Sequence, residues 1–478
     1  MLEMKLKAIL TCFFSILDIA VIILAAHAGP LTVHSSNPRY FTDGSGKAIY
    51  LTGSHVHDNL VDHSERPIFD YASYLDFLHR HNHNFIRMWT WEHARVPRPN
   101  NAWLEFDPLP YERTGPGSAV DGKPKFDLTK FNQAYFDRLR ARVTAASDRS
   151  IYVSVILFEG WSIDGYDRKL GGDPTLKAWD GHPFNNHNNI NGVDGDLNGD
   201  RKGYEVHTLA NPAVTAVQEA YVRKVVDTLN DLDNVLYEIS NESRRESVDW
   251  QYHMINYIRA YERGKAKQHP VVMTVLWDGP SDDGRGDNGA LFASPADAIS
   301  PGRGPNGEYS GNPPAADGRK VIIVDTDHLG GLDGSPAEWV WKSFLRGLHP
   351  IYMDRFGNPG SPPGYEPVRR AMGYTLTYAK RVNLAAMIPR PDLCSSRYCL
   401  VNPGFEYLVY LAADSYSTEP PVTVDLSAGT GTLNVEWFNP ATGETMAAEK
   451  TIGGAPRHFT RPFPGVAVLY ISSSLTPR

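Results

Sequence analysis

Apolar positions along the chain fall into two alternating textures. Short apolar runs of strand type occur at 47–55 (KAIYLTGSH), 84–91 (NFIRMWTW), 151–161 (IYVSVILFEGW), 234–240 (NVLYEIS), 271–279 (VVMTVLWDG), 296–302 (ADAISPG), 321–328 (VIIVDTDH) and 350–356 (PIYMDRF). Between most of them the spacing is helical. Tyr71, Tyr74, Leu75 and Leu78 stand at i, i+3, i+4 and i+7; further helices are predicted over 128–146, around Val214, Val217, Tyr221 and Val225, around Trp250, Met254, Tyr257 and Tyr261, and over 366–382. Ser335-Pro336-Ala337-Glu338 reads as a capping box opening the helix after the seventh strand. The sixth strand is the weakest and has little helix before it. Runs that are apolar on both faces predict a parallel sheet covered on both sides. Eight of them, alternating with helices, predict a (β/α)8 barrel. An open doubly wound sheet is the alternative, but no G-x-G-x-x-G follows any strand.

Near residue 390 the helical spacing stops. EYLVYLAA, VTVDL, TLNVEWF, ETMAAEKTI and GVAVLYI are separated by turn signals such as NPATGE and GGAP, which predicts a small antiparallel β-sandwich. The N-terminus differs again. Lys5 and Lys7 precede the apolar stretch AILTCFFSILDIAVIILAA, and Ala26-His27-Ala28 offers an A-x-A cleavage site. The expected organisation is a signal peptide over 1–28, a catalytic barrel over 29–388 and a sandwich over 389–478. An uncleaved N-terminal anchor is the alternative for the first segment. A secreted or periplasmic protein follows, with no membrane association after cleavage, since no second segment is apolar enough to span a bilayer.

Composition narrows the function classes. The 478 residues are 41% hydrophobic and 21% charged, and a net charge of −8 is spread along the chain. There is no basic stripe, so a nucleic-acid partner is not expected. Cys12 leaves with the signal. Cys394 and Cys399 remain, and two cysteines five positions apart in an exported chain are expected to pair.

The C-terminal strand ends of a barrel form its active face. The first strand ends in Gly53-Ser54-His55-Val56-His57-Asp58, and the second carries Arg87, Trp89, Trp91 and Glu92. The third ends in Glu159-Gly160-Trp161, the fourth in Asn241-Glu242 and the fifth in Trp277-Asp278. The seventh ends in Asp325-Thr326-Asp327-His328, and the eighth in Asp354-Arg355. Carboxylates and aromatic rings therefore recur on one rim. Carboxylates supply acid/base and nucleophilic chemistry, and paired carboxylates are the apparatus of glycoside hydrolysis. Flat rings suit the apolar faces of sugars. Trp161 and Trp277, past their strand ends, are platform candidates; Trp89 and Trp91 are either platform or core. Glu159 is a third site carboxylate or a partner for Arg87. His55 and His57 are substrate contacts or structural histidines; His328 is a substrate contact, a group that orients an aspartate, or a structural histidine.

An Asn-Glu pair ending strand four of a barrel resembles the clan A glycoside hydrolases. Arg87 in FIRMW and the carboxylates of VIIVDTDH support the resemblance over residues 30–385. The first-strand pattern, DTDH, WKSFLRG and VEWFNPATGE are further similar to a group of bacterial secreted chains classed with glycoside hydrolases, whose terminal module carries a collagen-binding label. The resemblance implies Glu242 as general acid/base, Asn241 holding a sugar 2-hydroxyl, and Arg87 beside the nucleophile. That nucleophile is a Glu in the clan. Here Asp325 falls at its place, with Asp327 second. An aspartate is one methylene shorter, drawing the carboxylate back by about 1 Å. Retention needs the two carboxyls roughly 5–5.5 Å apart, and inversion about 6.5–9.5 Å.

The expectation is thus a secreted, retaining glycoside hydrolase acting on a poly- or oligosaccharide without an organic cofactor. Two rivals stand beside it: a non-catalytic carbohydrate-binding protein on a degenerate barrel, and a metal-dependent hydrolase using His55, His57 and Asp325. Glycan, linkage and oligomeric state have no signature in the sequence. Separately, VDGDLNGDRKGYE fits a calcium loop through Asp194, Asp196, Asn198, Gly199 and Glu205, although HPFNNHNNING before it is not helical.

Overall fold

The computed structural model describes residues 29–98, 101–163, 175–277, 288–356, 365–412 and 421–474. Eight parallel strands form one curled sheet: β1 (Gly53–His55), β2 (Phe85–Met88), β3 (Tyr152–Glu159), β4 (Val235–Asn241), β5 (Val271–Thr274), β6 (Ala298–Ser300), β7 (Val321–Asp325) and β8 (His349–Met353). Each is followed by a helix: α1 (Tyr71–Arg80), α2 (Gln133–Ser147), α3 (Pro212–Leu229), α4 (Val248–Glu262), α5 (Asn288–Ala293), α6 (Glu308–Gly311), α7 (Pro336–Leu345) and α8 (Glu366–Arg381). This is the (β/α)8 barrel that the alternation predicted.

The hydrogen-bonded order runs β1-β8-β7-β6-β5-β4-β3-β2. The circle closes through Asn84. Its backbone N–H donates to the Thr52 carbonyl at 3.0 Å, its side-chain oxygen accepts from Thr52 N at 3.0 Å, and its Nδ2 donates to the Tyr50 carbonyl at 2.8 Å. Gly53 lets the two strands approach, because a Cβ there would lie 2.3 Å from the Phe85 carbonyl oxygen.

The barrel interior has two layers. Leu51, Phe85, Tyr152, Leu236, Val272, Ala298, Ile323 and Ile351 cluster with Leu31 and Phe41, which belong to a short hairpin plugging the N-terminal end. Strand side chains alternate at period two, so the next inward position lies two residues further on. There the chemistry changes: Arg87, Ser154, Glu238, Thr274, Ser300 and Asp325 are all buried. An apolar floor thus carries a polar layer toward the C-terminal rim.

Three readings are corrected. The helix predicted from 128 begins at Gln133, where the Asn132 side chain accepts from Ala134 N at 3.2 Å. Residues 128–131 belong instead to a hairpin of Tyr111–Ser118 with Pro124–Phe131. Together with the short strands Asp62–His63, Arg95–Pro97 and Trp103–Asp107, this hairpin decorates the end of the barrel where the strands terminate. Ser335 is the N-cap of α7 and Pro336 its first residue, but the Ser335 hydroxyl makes no capping bond. The expected Cys394–Cys399 bridge is not formed; both thiols are free and buried. The spacing does bring them together: the neighbouring Cys399 thiol lowers the Cys394 pKa, while burial pushes Cys399 up.

The C-terminal strands are β9 (Ile388–Pro389), β10 (Cys399–Asn402), β11 (Glu406–Leu411), β12 (Val422–Asp425), β13 (Thr432–Asn439), β14 (Glu444–Ile452), β15 (Pro456–Phe459) and β16 (Ala467–Ser473). They form an antiparallel sheet in the order β9-β10-β11-β16-β13-β14, with β12 and β15 paired in a second sheet. Alternation divides β11. Tyr407, Val409 and Leu411 face the sandwich core, while Leu408 and Tyr410 join the barrel's core. Trp341 of α7 stacks on Tyr410 at 6.0 Å, and Arg381 of α8 grips Glu436 at 2.5 and 2.9 Å. No helix among the described residues is long and apolar enough to cross a membrane.

Candidate active site

The polar layer is organised around Arg87, whose side chain is fully buried. Its Nε and NH2 donate to Glu238, NH2 also to Asn241 Oδ1 at 2.8 Å, and NH1 to Asp325 Oδ2 at 2.9 Å and Asp327 Oδ2 at 3.4 Å. One guanidinium on β2 therefore ties β4 to β7 across the barrel. Glu238, with Ser154 donating to it at 3.0 Å, is a site residue that the sequence did not mark. It sits inside an apolar run buried on both faces, where periodicity distinguishes neither face. Asn241 is fixed from three sides, donating to Glu159 Oε1 at 3.1 Å and lying 3.2 Å from His328 Nε2. Glu159 is wholly buried, and its carboxylate also accepts from Trp161 N and Ser162 N. Burial raises its pKa to about 7, against the pull of these bonds.

Glu242 leaves the end of β4 half-buried, with φ +48. That left-handed conformation is strained for a residue with a Cβ and persists only where surroundings impose it. They do so here. Ser243 Oγ bonds Ser240 Oγ at 2.5 Å and His207 Nδ1 at 3.1 Å, its carbonyl accepts from Trp277 N at 3.1 Å, and the Asn241 carbonyl accepts from Gly160 N at 2.8 Å. A Cβ on Gly160 would lie 2.4 Å from Ser243 Cα, so only glycine lets β3 accept this turn.

The two strand-seven aspartates part company. Asp325 Oδ1 meets His55 Nε2 at 2.9 Å and accepts from Asp327 N at 3.0 Å, capping the 3-10 turn Thr326–Leu329. Its side chain is 0% exposed. Burial would raise its pKa, but His55 and Arg87 outweigh that and hold the carboxyl well below the usual range. Asp327, two residues on, is 17% exposed. Burial and then the neighbouring charge of Asp325 push it up to about 6, against Arg87. His328 is buried with Nδ1 2.8 Å from Ser300 Oγ, and burial lowers its pKa to about 3, so it stays neutral. Asp325, Asp327 and His328 are close enough to share a metal ion. The Arg87 guanidinium, however, already binds both aspartates from within the cluster, and its positive charge opposes a metal ion there.

A cleft of about 820 Å3 opens over β1, β7 and β8, lined by His57, Arg66, Asp327, Tyr352, Arg355 and Tyr365 among others. Asp327 faces it and Asp325 does not. The His57 ring sits edge-on to Trp89 and Trp91, and burial lowers its pKa to about 4. Trp91 is packing rather than platform: it is buried, stacks on Phe106 at 4.7 Å, and donates Nε1–H to the His57 carbonyl. Trp161 and Trp277 form a ring pair 6.4 Å apart beside the Glu242 turn. Asp278 lies outside the described residues.

The acidic loop is organised by bonds from its side chains to its own backbone. Asp196 accepts backbone N–H groups from Gly199, Asp200 and Arg201, while Asn198 Oδ1 accepts from Asp200 N. The left-handed positions are Gly199 (φ +74), Arg201 (φ +59) and Gly203 (φ +68). Asp194 accepts from Asn186 Nδ2 at 2.5 Å through one oxygen and from Asp196 N at 3.2 Å through the other. Burial raises the pKa of Glu205, and the charges of Asp196 and Asp200 add to it; among the described residues Glu205 Oε2 is buried without a hydrogen-bond partner. Among the described residues the loop carboxylates are not close enough to one another to share a metal ion, so the expected set of Asp194, Asp196, Asn198 and Glu205 is not gathered on one point.

The sequence family described as a domain of unknown function (DUF6298) matches residues 79–279, a span that holds Arg87, Glu159, Asn241 and Glu242 and ends before Asp325. No curated protein matches the chain. A solved structure described as a glycoside hydrolase superposes with a TM-score of 0.57 at 13% identity, covering 93% of this chain and 97% of its own. A glycoside hydrolase family 5 protein from Bacteroides vulgatus superposes with a TM-score of 0.55 at 13% identity, covering 93% of each chain. At that identity the likeness is one of fold.

Proposed function

We propose that this chain is a glycoside hydrolase that cleaves O-glycosidic bonds in a poly- or oligosaccharide with retention. The observation that carries the reading is the Arg87 bridge. One buried guanidinium joins a strand-seven aspartate pair to Asn241, immediately before Glu242, on a barrel fold shared with glycoside hydrolases. Glu242 protonates the leaving oxygen, and a strand-seven aspartate attacks the anomeric carbon. Glu242 then takes a proton from water, which releases the sugar. The sequence ranked Asp325 first as nucleophile. We assign the attack to Asp327, because a nucleophile must touch the substrate and the Asp325 carboxylate is sealed beneath His55, Arg87 and the turn it caps. Asp325 becomes a positioning residue that keeps Arg87 and His55 in place. Asn241 is read as the contact to the sugar 2-hydroxyl, and Trp161 with Trp277 as an aromatic platform.

The test is release of reducing ends from a panel of plant and microbial polysaccharides, with Glu242→Gln as control. Loss of acid/base catalysis should lower turnover by roughly 10²–10⁴-fold. Binding without hydrolysis on every polysaccharide would instead favour the non-catalytic rival, and activity retained by Glu242→Gln would remove Glu242 from the mechanism. The metal-dependent rival predicts loss of activity on chelation and recovery on adding zinc.

Two further readings belong to this proposal. Export is read from residues 1–28, which lie outside the described residues; the mature protein should begin at Gly29 on N-terminal sequencing. A structural calcium ion is read into the loop of Asp194, Asp196, Asn198 and Glu205, whose oxygen side chains alternate as a calcium loop requires and which an ion would have to draw together.

A further inference from the structure

The cleft over β1, β7 and β8 contains more charge than a neutral sugar requires. Among the described residues two arginines line it, Arg66 from the segment after β1 and Arg355 from the end of β8. Two carboxylates line it as well. Asp354 is fully buried and gripped by Arg369 at 2.5 and 2.8 Å, so it presents no charge to the cleft. Asp327 is the remaining one, and Arg87 shares its charge from below. Arg66 makes one ion pair, NH1 to Asp58 at 2.9 Å, and is 34% exposed. Arg355 is exposed, and no carboxylate among the described residues lies within ion-pair reach of it. An arginine left without a carboxylate partner on the wall of a substrate cleft is a ready fork for a planar or tetrahedral anion.

The other walls suit a sugar ring. Tyr352 and Tyr365 meet edge to face at 5.5 Å and offer an aromatic surface, while Gly331 and Gly334 leave the opposite lip bare. An acidic sugar seated here would place its ring near Asp327 and its anionic substituent toward the mouth, away from the aspartate.

We propose that this cleft recognises an acidic glycan, a sugar bearing a carboxylate or sulfate group, with Arg355 as the principal anion contact and Arg66 as the second. The proposal rests on the glycoside hydrolase reading and names the substrate class for that site. Arg355 acts in specificity and Asp327 in chemistry, so the two are separable.

The experiment uses the full chain carrying Glu242→Gln, so that ligand persists, in affinity electrophoresis through gels containing polygalacturonate, chondroitin sulfate, galactomannan or arabinan. Polyglutamate serves as a polyanion that is not a sugar. Retardation by polygalacturonate or chondroitin sulfate, whichever arm responds, identifies a carboxylate or a sulfate. Adding Arg355→Ala should weaken it at least tenfold, Arg355→Lys should recover part of it, and retardation should fall with added salt. Thermal melting of each variant shows that its fold is intact. Retardation by neutral polysaccharides alone, no retardation in either acidic gel, equal retardation by polyglutamate, or unchanged binding in folded Arg355→Ala would overturn the proposal. Acidic-glycan binding by a wild-type chain that hydrolyses nothing would sink the hydrolase reading and leave this inference standing. Hydrolysis of a neutral glycan, unaffected by Arg355→Ala, would do the reverse.

Discussion

Replacing the two strand-seven aspartates one at a time separates chemistry from positioning. Asp327 is raised from 3.8 to about 6. Two pKa units correspond to about 3 kcal/mol of differential interaction. Burial is the largest cause and the charge of Asp325 the next, so neutralising Asp325 should return less than half of the shift. In Asp325→Asn the acid limb of kcat/KM against pH should therefore move down by about 0.5–1 unit, with the plateau reduced through loosening of Arg87. Asp327→Asn should lose roughly 10³-fold or more in kcat, as expected for removal of a nucleophile. Stability should respond with the opposite sign. Because the folded pKa of Asp327 lies above its unfolded value, its contribution is most favourable below about pH 4 and is lost as pH rises through about 6. Asp327→Asn should then be more stable than the parent at pH 7 by about 1–3 kcal/mol, with the gain fading toward pH 4. The assays are pH–rate profiles on the substrate found by screening, and urea unfolding at two pH values. Trapping with a 2-fluoro glycosyl fluoride and fragmenting the labelled peptide reads the nucleophile directly. A label on Asp325, or Asp327→Asn within a few-fold of wild type while Asp325→Asn is dead, refutes the assignment.

Arg87→Met should cost about 3–5 kcal/mol at pH 7, since it strands Glu238 and Asp325 as buried charges; the loss should shrink toward pH 4 as they take up protons, and a urea-measured loss below about 1 kcal/mol would mean that the network is looser than its distances. Gly160→Ala should destabilise by about 1–3 kcal/mol and depress kcat together, because the new methyl displaces Ser243 and with it the Glu242 turn; wild-type melting and turnover would contradict the close approach. Calcium should raise the melting temperature and chelator lower it, with Glu205→Gln abolishing the response. Identical melting curves with and without chelator would mean that Asp196 organises the loop through its backbone hydrogen bonds alone.

Strand and helix periodicity was enough to determine the barrel and the terminal sheets, because a parallel sheet covered on both faces must be written as apolar runs separated by helical stripes. It was enough to bring Arg87, Asn241, Glu242 and the DTDH aspartates to one rim, since a strand end is readable wherever an apolar run stops. It could not divide the labour between Asp325 and Asp327. They are two residues apart with one side-chain chemistry, and only the 3-10 turn that Asp325 caps decides which carboxylate is sealed and which faces the cleft. Glu238 was hidden for a related reason: a charge inside a doubly buried strand has no local signature, and its partner Arg87 stands 151 positions away. The terminal cysteines show the limit from the other side, adjacency being legible while bond formation was not. The acidic loop shows it too, since its ligand pattern was written in sequence but its carboxylates are turned to the loop's own backbone N–H groups and do not converge. Sequence order settles which groups reach the rim; which of them meets solvent, which is neutralised and which is left charged depends on contacts between residues far apart in the chain, and these exist only once the barrel has closed.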